Sequence, residues 1–128
     1  MYKSHKGSII NIGSDLSIIS PDQRIYQKDY KNFYKPASYS VIKHSLVGMT
    51  KYFSVLYANR NVNCNMISPG PILKHQKYNL KRELIFRTPM SRLCNLEDLS
   101  TTLIYLIDKK TKFVTGQNIL IDGGRTLI

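Results

Sequence analysis

Ser8-Ile9-Ile10-Asn11-Ile12 is a short β-branched run closed by Gly13, and it is the feature that most limits how this chain can fold. So many apolar residues without polar alternation suit a strand buried on both faces, as in a parallel sheet. Ser14 then stands just past the carboxyl end of that strand. In open α/β sheets ligands gather at those ends, which is where a reactive hydroxyl belongs. By itself a serine after a glycine is more often a turn residue or a helix cap.

Pro36 to Arg60 reads as one long helix, with Pro36 and Ser38 as starting signals and no interior proline. Its apolar residues, Ala37, Val41, Leu46, Val47, Met49, Phe53, Val55, Leu56 and Ala58, occupy more than one face. Such a helix packs on the sheet and on something else as well. Tyr39 and Lys43 lie one turn apart near its start, at i and i+4, so their side chains share a face. A neighbouring ammonium favours the tyrosinate, and a tyrosine tuned in that way serves as a general acid or base. Alone, the pair is commonplace on helix surfaces.

Val62 to Ile67 is the next strand, stopped by Ser68-Pro69-Gly70-Pro71. Within it Asn65 is polar where an apolar residue is expected, which points to a structural hydrogen-bonding role. Lys74 to Phe86 reads as a mobile, basic segment able to form a helix. Asn95 caps a helix running to about Ile107, with Leu96, Leu99, Leu103, Ile104, Leu106 and Ile107 turned inward. Asn118 to Ile121 is a last strand closed by Asp122-Gly123-Gly124, where glycine permits a sharp exit. From Asp15 to Lys35 there is little periodicity; Tyr26, Tyr30, Phe33 and Tyr34 alternate with charges around Pro21. This reads as a long loop with a short helical turn, lining a substrate pocket.

At 128 residues the chain is one domain at most, and residues 1–128 are expected to be part of a single folded unit. No apolar run approaches a membrane span, and residues 1–8 lack the apolar stretch of a secretion signal, so the expected location is cytoplasmic. Cys64 and Cys94 have no metal-ligand spacing, and His5, His44 and His75 are scattered, so no metal is expected. The net charge of +11 invites a nucleic-acid partner. Its spread over Lys28–Lys35, Lys74–Arg87 and Lys109–Lys112, without a nucleic-acid motif, argues against one.

Taken in order, Gly7-Ser8-Ile9-Ile10-Asn11-Ile12-Gly13-Ser14, Tyr39 to Lys43, Asn65-Met66-Ile67-Ser68-Pro69-Gly70-Pro71-Ile72, Thr115-Gly116-Gln117 and Asp122-Gly123-Gly124 resemble the C-terminal half of the short-chain dehydrogenase/reductase family. The resemblance covers residues 7 to 126. It implies an α/β fold, part of a Rossmann-like doubly wound parallel sheet, comprising the last three strands with flanking helices. It also implies an oxidoreductase moving hydride between NAD or NADP and a carbonyl or alcohol in a small-molecule substrate. Ser14, Tyr39 and Lys43 are then catalytic, while Tyr39, Lys43, Pro69, Gly70 and Ile72 face the cofactor. A homo-oligomer through the 36–60 helix and the last strand follows from the same resemblance.

Three departures from the family pattern stand out. Lys74 replaces the threonine common two positions past Ile72, and the Ser14-to-Tyr39 connection is longer than usual, with an aromatic and basic content similar to members acting on sugars or nucleotide-linked sugars. None of the seven glycines forms the phosphate-cradling turn with which the family begins. The expectation is therefore a chain equivalent to the catalytic half, with an open edge on its first strand. The alternative is a non-catalytic remnant or assembly module that pairs with a full-length relative.

Overall fold

A computed structural model describes residues 6–128. His5 and the first five positions of the leader reading lie outside the described residues. Three parallel strands form the sheet among these residues: β1 (Gly7–Ile12), β2 (Val62–Pro69) and β3 (Asn118–Ile121), in the order β1-β2-β3. Register is continuous, with Gly7 opposite Val62, Ile12 opposite Ile67, Met66 opposite Asn118 and Pro69 opposite Ile121. The α/β, Rossmann-like class implied by the resemblance is therefore observed.

β2 carries most of the core. Val62, Cys64, Asn65, Met66, Ile67 and Ser68 are buried, as a strand paired on both edges and covered on both faces requires. The long helix α2 (Ala37–Tyr57) packs against β2 and against the 3₁₀ turn Asp15–Ser17, burying Thr50 and Ser54. On the other side α4 (Leu96–Ile107) packs against β1 and β2 through the fully buried Leu106. A close approach fixes Gly13: a β-carbon there would meet the Met66 methyl at 1.9 Å and the Ser68 hydroxyl at 2.5 Å.

The inward set assigned to α4 is too broad. Leu96, Leu103, Ile104 and Ile107 are exposed, because six apolar residues over twelve span more than the one stripe that a helix can turn toward a sheet. Asn95 does cap this helix: its side chain accepts from the Asp98 N–H at 2.8 Å, while its own N–H donates to Asp98 Oδ2 at 2.8 Å. Arg92 forks onto the same carboxylate at 2.6 and 2.8 Å. The second face of α2 is open, with Val41, Ile42, Tyr52 and Val55 exposed.

The 15–35 connection is more ordered than a loop. It holds the Asp15–Ser17 turn and the short helix α1 (Arg24–Gln27), which packs against α3 (Tyr78–Phe86). Ile25, Leu80, Leu84 and Leu93 make a small separate core, flanked by Tyr26, Tyr30 and Ile85. Asp29 supplies the cap that α3 lacks locally: its carboxylate accepts from the Leu80 N–H at 2.6 Å and from Asn79 Nδ2 at 2.9 Å. Ion pairs reinforce the contact, Arg87 bridging Asp22 and Glu83, and Lys28 reaching Glu83.

These pairs give the clamp a pH dependence. The Arg24 hydrogen bond holds the Asp22 carboxyl down to about 2, and the Lys28 and Arg87 bonds hold Glu83 at about 2. Folded values below the unfolded ones mean that the stabilisation is complete above the unfolded carboxylate range and is lost as pH falls toward about 2. The protection factors of the Leu80 and Leu84 amides are predicted to hold down to about pH 4 and to fall below it, ahead of those in β2. Uniform protection of α3 and β2 down to pH 2 would contradict this.

Candidate active site

Parallel strands put their carboxyl ends on one rim, and the residues singled out from the sequence fall there. Ser14 lies two residues beyond Ile12 on β1, and Pro69, Gly70 and Ile72 lie at or just past the end of β2. The two ends are stitched together: the Gly13 N–H donates to the Ile67 carbonyl at 2.8 Å, and the Ser17 and Ser68 hydroxyls meet at 3.3 Å. From the first turns of α2, Lys43 Nζ donates to the Ile12 carbonyl at 3.1 Å and stands 5.7 Å from the Tyr39 ring centroid. Lys43 thus joins Tyr39 to the end of β1, beside Ser14.

Ser14 is buried, and its Oγ is already engaged. It donates to Asp15 Oδ1 at 2.8 Å and accepts from the Leu16 N–H at 3.2 Å, capping the Asp15–Ser17 turn. Asp15 Oδ2 lies 3.0 Å from Arg125 Nη1, with both side chains almost inaccessible, at 5% and 7% exposure. Nothing in the sequence signals this pair, because its members sit at opposite ends of the chain. Arg125 follows the Asp122-Gly123-Gly124 exit, where Gly123 and Gly124 take φ of 63° and 86°. Burial pushes the Asp122 carboxyl up, but hydrogen bonds from Thr126 and Gly124 outweigh it and hold the group below its ordinary value.

Two further aromatic and basic groups adjoin Tyr39. Lys35 Nζ is 4.1 Å from the Tyr39 ring centroid and 5.9 Å from that of Tyr26. Burial raises the Tyr26 phenol above its ordinary value, Arg125 opposes this, and Asp15 and Tyr39 add to it. Lys35 was legible only as part of a basic run, although the Lys35, Tyr39, Lys43 spacing of four repeats through the phenol.

Asn65 has the structural role expected of it. Its Nδ2 donates to the Val114 carbonyl at 2.8 Å and its Oδ1 accepts from the Gln117 N–H at 3.0 Å, fastening the Thr115-Gly116-Gln117 turn before β3. His44 Nδ1 meets the Ser40 carbonyl at 2.9 Å, and no cluster of metal-binding side chains occurs among the described residues. A cavity of about 510 Å³ lies beside β3, lined by Gly70, Arg92, Cys94, Asp98 and Asp122 among others. It contains none of Ser14, Tyr39 and Lys43, whose rim borders the open edge of β1.

A family model described as enoyl-(acyl carrier protein) reductase matches residues 1–126. The 3-oxoacyl-[acyl-carrier-protein] reductase of Thermotoga maritima is 29% identical over 97% of this chain and 47% of its own length. Carbonyl reductase family member 4 of Danio rerio is 29% identical over 98% of this chain and 47% of its own length. The crystal structure of a short-chain dehydrogenase from Leptospira borgpetersenii serovar Hardjo-bovis, with bound NAD+, superposes with a TM-score of 0.88 at 34% identity, over 98% of this chain and 46% of that one. The chain belongs to the short-chain dehydrogenase/reductase family. It spans about half the length of these relatives.

Replacing Asn65 with Leu should remove the bonds to the half-buried Val114 carbonyl and to the Gln117 N–H, at a cost of about 0.5–1.5 kcal/mol each. Urea unfolding of the variant is the check. A loss below about 0.5 kcal/mol would remove Asn65 from the scaffold of the rim.

Proposed function

We propose that this chain carries the catalytic residues of an NAD(P)-dependent oxidoreductase that interconverts a carbonyl and an alcohol in a small-molecule substrate. The observation that supports this most is the Lys43 ammonium, shared between the Tyr39 ring and the end of β1 where Ser14 stands. In this reading Tyr39 Oη gives a proton to the substrate oxygen during reduction and takes it back during oxidation. Lys43 holds its ammonium beside that phenol, 5.7 Å from the ring centroid. Ser14 supports the oxygen as charge develops on it, once its hydroxyl turns from Asp15 toward the substrate.

The donor set fits the nicotinamide-ribose end of a dinucleotide. Tyr39 and Lys43 would hold the ribose hydroxyls, and Pro69, Gly70 and Ile72 would pack beside the ring. The Ile72 carbonyl accepts from Gln76 Nε2 at 2.6 Å, and the same Gln76 side chain takes the Lys74 N–H at 2.8 Å. That leaves the Ile72 N–H for the carboxamide. When bound, the cofactor supplies or accepts the hydride, and the chain's part is orientation. The 128 residues hold no glycine-rich turn for the pyrophosphate.

The substrate class is drawn from the 15–35 segment, whose tyrosines and lysines suit a hydroxylated compound such as a sugar or nucleotide-linked sugar. A second reading is favoured by the exposed apolar face of α2 and the open edge of β1. In it the chain has no turnover of its own and assembles with copies of itself or with a full-length relative.

Titrating the purified chain with reduced nicotinamide cofactor, followed by cofactor fluorescence, should give only weak binding, and micromolar affinity would contradict this. Mixed with a full-length relative, a stable co-eluting assembly supports the second reading. In any form that turns over, Tyr39→Phe should abolish the reaction while leaving the circular dichroism spectrum unchanged. A surviving rate would remove Tyr39 as the acid.

A further inference from the structure

Lys35 is fixed in place by the fold. Its N–H donates to Gln23 Oε1 at 2.8 Å and its carbonyl accepts from Gln23 Nε2 at 3.1 Å, a reciprocal pair that fastens the backbone to the segment before α1. Pro36 follows with extended angles, φ −60° and ψ 142°, and starts α2 at Ala37. The ammonium is thereby carried to the face of Tyr39, 4.1 Å from the ring centroid, with Tyr26 at 5.9 Å. Tyr26 in turn packs edge-on against Phe33 at 5.6 Å, so the lysine sits against an aromatic wall.

The neighbouring cations are committed to oxygen acceptors. Lys43 donates to the Ile12 carbonyl, Lys77 to the Asp29 carbonyl, and Arg125 lies against Asp15. Lys35 differs from them. Lys43 and Lys77 also lie over tyrosine rings, but the Lys35 ammonium alone of these has no bond to a carbonyl or carboxylate oxygen among the described residues. An ammonium has three N–H donors, and contact with ring faces is a weaker use of them than a charge-assisted bond to an oxyanion. An anion arriving at Lys35 would add to the ring contacts without displacing them.

We propose that Lys35 is a specificity-determining residue that binds an anionic group of the substrate, a carboxylate or a phosphate, a few bonds from the carbon that reacts at Tyr39. This rests on the reading of Tyr39 as the proton donor. The position follows from geometry: a group held by Lys35 lies beside the same phenol whose hydroxyl would meet the substrate oxygen. Within the hydroxylated compounds proposed above, the favoured substrate is then one carrying an acid or phosphate group, such as a sugar acid or sugar phosphate, over a neutral ketone or alcohol of equal size.

The test is binding to the full chain, read by NMR at the Lys35 ε-methylene and the Tyr39 ring protons. Acetoacetate, inorganic phosphate and neutral butanone are the probes, and the first two separate a carboxylate from a phosphate source. At least one anion should shift both signals saturably while butanone does not. Lys35→Gln should weaken that anion by about tenfold or more, the loss expected of a charge-assisted contact. Lys35→Arg should retain it, and Lys31→Gln, an exposed charge nearby in sequence, should leave it unchanged. Equal effects of Lys35→Gln and Lys31→Gln, an equal response to butanone, or no saturable response to either anion would overturn the proposal. Tyr39→Phe keeps the ring and should keep anion binding, so failure of the proton-transfer reading is separable from failure of this one.

Discussion

A strand hydrogen-bonded to parallel neighbours on both edges must be covered on both faces, and β2 imposes that requirement on everything around it. Its Cys64, Met66 and Ile67 are buried, and Asn65 is tolerated among them because the turn before β3 satisfies both ends of its amide. α2 on one side and α4 on the other follow from the need to cover these faces. Gly13 follows too, since Met66 occupies the space that a β-carbon would need. The rim of the sheet is where this burial ends and polar groups can reappear.

What reappears there is electrostatically organised. Lys43 brings the start of α2 to the end of β1 through a single carbonyl, and Asp15 and Arg125 tie the turn after β1 to the segment after β3. An almost fully buried ion pair adds little net stability as a rule, yet removing one partner is severe because the other charge is left unpaired. Its contribution at this site is placement: Asp15 Oδ1 takes the Ser14 hydroxyl while Oδ2 faces the guanidinium. The α1 and α3 elements pack on each other, with their own small core and a cap supplied by Asp29.

The sequence made the local elements readable. Ile9, Ile10 and Ile12 before Gly13, the proline-glycine stop after Ile67, and Asn95 with Asp98 three residues on each carry their signal within a few positions. The series of motifs also placed Ser14, Tyr39 and Lys43 along the chain ahead of any geometry. Contacts between distant residues were hidden. Asp29 capping α3, Arg87 bridging Asp22 to Glu83, and Asp15 meeting Arg125 join positions whose approach depends on the finished packing. The exposed half of α4 is hidden in the sequence for a related reason: apolar content indicates that a helix is buried somewhere, and only its neighbours decide which stripe.

The arrangement rests on α2 being docked so that the Lys43 ammonium reaches the carbonyl of Ile12. Nuclear Overhauser contacts in the isotope-labelled chain test this directly. Cross-peaks are expected from the Lys43 ε-methylene to the Gly13 α-protons and to the Tyr39 ring. Cross-peaks from Lys43 to solvent alone, with Tyr39 contacting residues on the far side of the sheet, would contradict it.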